Sequence, residues 1–160
     1  MSGTVGDNIA RASGVIAAAG GGGKILQIVT TPYNATSDQT TTSTSYQSMS
    51  SPYTVTIAPT KADSTVLLWF NIPGGVGGST NGANYRIYNN TDSSETTVGA
   101  INVSQHHLVD IIYIDSPATT VAQEYELQMK CNTGGGHTCY VKGNGLGTVI
   151  TTLTAIELAA

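Results

Sequence analysis

Apolar and polar residues alternate with a period of two along much of this chain, and the exceptions carry the most information. Residues 65–72, Thr-Val-Leu-Leu-Trp-Phe-Asn-Ile, form the longest nearly unbroken apolar run and hold the only Trp and the only Phe. Asp63-Ser64 and Pro73-Gly74 bound the run, which suits a strand better than a helix. On a strand, Val66, Leu68, Phe70 and Ile72 point one way and Leu67 and Trp69 the other. Both faces are then apolar. One fills a core; the other needs a second sheet, a long loop or another copy of the chain to cover it.

Strand patterns recur on both sides of this run. Residues 24–31 come first, followed by a polar Thr/Ser loop over 34–45 and a short strand over 45–50. Residues 53–59 alternate cleanly, with Tyr53, Val55 and Ile57 inward and Pro59 closing the element. Gly74 to Gly82 reads as a long flexible loop ending in an Asn81-Gly82 turn signal. Strands are predicted over 84–88, 96–103 and 107–114. In the last of these Leu108, Ile112 and Ile114 share one face and Val109, Ile111 and Tyr113 the other. Residues 121–131 alternate most clearly, with Val121, Tyr125, Leu127 and Met129 inward and Glu124, Glu126, Gln128 and Lys130 outward. Residues 138–142 are expected to pair back on them, and 149–158 form the final strand. Nine or ten strands with turn-rich links and no core helix predict an all-β fold, an antiparallel sandwich or jelly roll.

The first 23 residues differ. Ile9, Val15 and Ile16 are more apolar than a solvated tail needs, and Gly20-Gly21-Gly22-Gly23 forms a hinge. Two readings stand side by side, a disordered terminus and an attachment segment. The chain thus divides into an N-terminal segment, 1–23, and a β-domain, 24–160. A secretory signal fits poorly, because the apolar stretch after Arg11 is short and only one basic residue precedes it.

Composition narrows the partners. Charged residues are only 10% of the chain and the net charge is -4, which disfavours nucleic acid. No apolar stretch reaches the ~20 residues of a membrane helix. Little chemistry is visible. Adjacent His106 and His107 face opposite sides of a strand and cannot chelate one ion. Glu124 and Glu126 lie side by side on a polar face rather than across a cleft. Asp110, between Val109 and Ile111, needs a partner if it is buried. Tyr85 reads as packing, and no nucleophile elbow is present. No catalytic residue, metal or cofactor is expected. Cys131 and Cys139 are symmetric about Gly135, so a hairpin would set them opposite each other, within reach of a disulfide. Two reduced thiols are the alternative, and the redox compartment decides between them.

The strings NIARASGVIAAAGGGGKILQIV (8–29), VTIAPTKADSTVL (55–67), IDSPATT (114–120) and TTLTAIELA (151–159) resemble small β-domains of virion proteins from tailed phages of aquatic bacteria, cyanobacteria among them. These are described as tail fibre or virion structural proteins. The resemblance spans nearly the whole chain and rests on the order and spacing of the strings. It implies a virion-surface location after assembly in the host cytoplasm, a sandwich-like fold and a homotrimer, and it carries over no catalytic residue. The Cys131/Cys139 loop and the Gly74 to Gly78 stretch depart from the pattern. On this reading the N-terminal segment, with Ile9, Val15 and Ile16, joins other virion proteins. The Leu67/Trp69 or Leu108/Ile112 face lies near the trimer interface, and a host-surface glycan is a further candidate partner. A free carbohydrate-binding module and, behind it, a polysaccharide-degrading enzyme are the competing classes.

Overall fold

The computed structural model describes residues 24–34, 37–49, 53–77, 82–92, 107–132, 137–141 and 150–160. These form ten strands and no helix. In chain order they are β1 (Ile25–Asn34), β2 (Gln39–Thr41), β3 (Gln47–Ser48), β4 (Thr54–Ile57), β5 (Thr65–Gly77), β6 (Ala83–Asn89), β7 (His107–Asp115), β8 (Gln123–Cys131), β9 (Thr138–Val141) and β10 (Ile150–Leu158). All pairings are antiparallel.

The Trp69 strand organises the larger sheet. β5 pairs with β7 along one side and with β10 and then β9 along the other. Gly74 meets both His107 and Val141, which sets β9 on the side opposite β7. β10 and β9 therefore run end to end beside β5, and β1 and β2 flank them in the same manner. Pro73 falls at the break between β10 and β9, where that ladder is interrupted and a residue without an N–H is tolerated. The smaller sheet centres on β8, with β6 on one side and β3 and β4 on the other.

One core joins the two sheets. Val66, Leu68, Phe70, Ile72, Val109, Ile111, Leu153 and Ala155 of the larger sheet cluster with Val55, Ile57, Tyr85, Ile87, Tyr125, Leu127 and Met129 of the smaller. Polar ties cross between them. The buried Tyr85 hydroxyl donates to Tyr140 O at 2.6 Å and accepts from Gly75 N–H at 2.7 Å. Burial pushes this phenol well above its ordinary range. Tyr125 donates to Asp115 at 2.6 Å.

Several sequence expectations need correction. β9 does not pair back on β8; it joins the larger sheet, against β5 and β2. The Cys131–Cys139 disulfide, with Cα atoms 5.6 Å apart, is therefore a bridge between sheets rather than across a hairpin. Gly74 to Gly77 is the end of β5, not a loop, and β2 lies inside the stretch read as one. Val121 is exposed, because β8 begins at Gln123, which takes the inward position and accepts from Asn89 Nδ2 at 3.0 Å. Glu126 and Gln128 face away from the core, as expected, but are buried rather than solvated. Ser48 and Gln128 donate to Glu126, and Arg86 donates to Gln128 while lying over the Tyr46 ring. Neighbouring side chains on that face thus form a closed polar layer. The predicted strand over 96–103 lies outside the described residues.

Candidate functional site

The outer face of the larger sheet departs most from ordinary surface chemistry. An antiparallel sheet with one face on the core normally turns polar residues outward. Here strand alternation sends Leu67, Trp69 and Asn71 of β5 outward, together with Leu108, Asp110, Ile112 and Ile114 of β7. The register then lines these residues up. Ile114, Leu67, Ile156 and Ile28 fall on successive strands in one row. Ile112, Trp69, Thr154 and Thr30 form the next. Asp110, Asn71, Thr152 and Pro32 form a third. Scattered exposed apolar residues are ordinary, but a contiguous row is not.

The first row is wholly aliphatic. Ile28 and Ile114 are each 57% exposed. In the second, Ile112 is 61% and Trp69 47% exposed. The third is polar and holds the Trp in place. Trp69 Nε1–H donates to Asp110 Oδ1 at 2.9 Å, and Asn71 Nδ2–H donates to the same oxygen at 2.7 Å. The bonds from Asn71 and from Trp69 hold the Asp110 carboxyl below its ordinary range. Asp110 is exposed, and its partners among the described residues are two neutral donors one strand away. Trp69, Asn71, Thr152 and Thr154 line a depression of about 240 Å³. That is smaller than the roughly 300–1,000 Å³ of sites that enclose drug-sized ligands.

Leu67, Trp69, Leu108 and Ile112 thus share one face, although Leu108 stands apart from the other three, opposite Pro73. Ile9, Val15 and Ile16 lie outside the described residues. Cys131 and Cys139 sit in the wall joining the sheets, away from this face. Sequence reasoning did not single out Asn71, Thr152, Thr154, Ile28 or Ile156. Each reads as an unremarkable outward position, and only the register of β1, β10 and β5 brings them together. No family model and no curated protein matches the chain. Among the described residues, no group of three or more His, Cys, Asp or Glu side chains is placed to hold a metal, and no helix is long and apolar enough to cross a membrane.

Proposed function

We propose that this chain is a structural module on the surface of a tailed-phage virion, in a tail fibre or as a capsid decoration. On this reading its β-domain is a sandwich that assembles into a homotrimer, and residues 1–23 attach it to other virion proteins. The observation that carries the reading is the aliphatic row Ile114–Leu67–Ile156–Ile28, on the face of a sheet whose other side is already buried. Such a row suits a neighbouring copy, since closed symmetric assemblies are the usual outcome of self-association. The low charge of the chain and its hydroxyl-rich outer strands suit a passive surface module. The resemblance to virion β-domains supports the location and the number three.

A density map of the native particle tests this. The expected result is threefold density for residues 24–160 on the particle exterior, with 1–23 reaching a neighbouring protein. A particle from which the chain is missing overturns the virion assignment.

A further inference from the structure

We infer that the depression beside Trp69 is a subsite for a neutral saccharide. The inference does not rest on the virion reading; it requires only that Trp69 stay accessible beside whatever covers the aliphatic row. It starts from the change of chemistry across the outer face. One step along the strands from the aliphatic row, the side chains become an indole, a carboxylate, an amide and hydroxyls. Covering that part with another protein's apolar surface would take the Asp110 carboxylate, whose Oδ2 accepts no bond from the described residues, and the Thr152 hydroxyl out of water, which is unfavourable. A sugar meets both demands. The C–H face of a pyranose packs on an indole ring, and its hydroxyls donate to and accept from the polar groups around it.

The residues are arranged for this. Trp69 is half-exposed, and its N–H is tied to Asp110, so the ring is held before any ligand arrives. Both bonds to Asp110 end on Oδ1, so among the described residues Oδ2 takes none and can accept a sugar hydroxyl. Asn71 uses its amide N–H on Asp110, which leaves its carbonyl oxygen as a further acceptor. Thr152 completes the lining with a hydroxyl that can donate, and Thr154 with one that shares a hydrogen bond with the Thr30 hydroxyl at 3.2 Å. At about 240 Å³ the depression suits one ring of an extended chain rather than an engulfed ligand. The Asp110 carboxylate, bonded to two of the lining residues, repels uronic and sialic acids, so the class is a neutral hexose or N-acetylhexosamine.

Trp69 is the only Trp in the chain, so its indole signal reports on this site alone. The test is nuclear magnetic resonance of the ¹⁵N-labelled full chain. Methyl glycosides of glucose, galactose, mannose and N-acetylglucosamine are titrated one at a time, with glucuronate as the anionic comparison. At least one neutral glycoside should shift the Trp69 indole cross-peak saturably, in the millimolar range expected on the order of a few polar contacts. Glucuronate should bind about tenfold more weakly or not at all. Asn71→Ala and Thr152→Ala should each weaken binding at least about fivefold while the backbone amide spectrum stays dispersed. Three results overturn the proposal. They are no shift with any neutral glycoside, an equal shift with glucuronate, or an indole signal that follows protein concentration and not sugar, which would place a second copy there instead.

Discussion

At the scale of single residues, two positions show how far side-chain chemistry can be read before a fold is known. Gly74 belongs to a run that reads as flexible linker, yet it lies inside β5 under the Tyr85 ring. A Cβ at Gly74 would meet Tyr85 Cζ at 2.6 Å, so the glycine makes room for the phenol that ties the sheets. A missing side chain looks the same in sequence whether it serves flexibility or close approach. Gly74→Ala should lower stability by about 1–3 kcal/mol, measured by urea unfolding, because Tyr85 is fully buried and held by its hydroxyl to Gly75 and Tyr140. Glu157 is the second position. It lies at an inward position of β10 and is fully buried. Thr60 donates to it from backbone N–H at 2.7 Å and from its hydroxyl at 2.9 Å, and Gln27 donates at 2.7 Å. Burial alone would raise its pKa. The donors around it, Gln27 and Thr60 among them, outweigh that and hold it at about 2 against an ordinary 4.5. A carboxyl depressed in the folded state adds stability that is fully present above its unfolded pKa and disappears as pH falls through the folded one. Glu157→Gln should therefore unfold at lower urea than the wild type at pH 7. The gap between them should close as pH falls from about 4.5 towards 2. A gap that stays constant over that window would mean the carboxylate charge is not what organises the Thr60 loop.

At the scale of elements, alternation located most strands but not their partners. Tyr53, Val55 and Ile57, and the two faces of β5 and β7, point as the period-two pattern predicts. Pairing was less legible, because two strands that follow each other can form a hairpin or cross to the other sheet with the same alternation. The symmetry of Cys131 and Cys139 about Gly135 is compatible with both. Their Cα separation of 5.6 Å arises from the crossing, with Cys131 opposite Ala83 in one sheet and Cys139 opposite Val76 in the other. β2 escaped notice because a three-residue polar strand carries no apolar period. The inter-sheet bridge makes its own prediction. Replacing both cysteines with Ser should cost about 2–3 kcal/mol for so short a loop. The loss should appear in the stability of the whole domain rather than of one sheet, since β8 and β9 belong to different sheets. Peptide mapping under non-reducing conditions should recover the 131–139 link. Its absence from protein kept in oxidising buffer would refute the bridge.

At the scale of the whole molecule, the question is what covers the outer face of the larger sheet. The surplus of apolar residues on β5 and β7 was visible in sequence; its concentration into a row was not, because that depends on β1 and β10 arriving in register from opposite ends of the chain. Leu67 sits inside that row, with Ile114 on one side and Ile156 on the other. Leu67 is half-buried between them, so in a monomer a carboxylate there keeps access to solvent. In an assembly closed over the row it would be buried without a partner. Leu67→Asp is thus a selective probe: it should leave an isolated domain folded and dissociate an oligomer. Ile28→Asp, at the far end of the same row on β1, should act in the same direction, and Thr56→Asp, on the exposed outer side of β4, should not. Light scattering of the purified chain at micromolar concentration should give three times the monomer mass for the wild type and for Thr56→Asp. It should give one for Leu67→Asp, or a loss of folding if assembly and folding are coupled. A wild-type chain that is monomeric at that concentration would remove the row from any self-interface. The Ile114–Leu67–Ile156–Ile28 face would then have to be covered by a different protein.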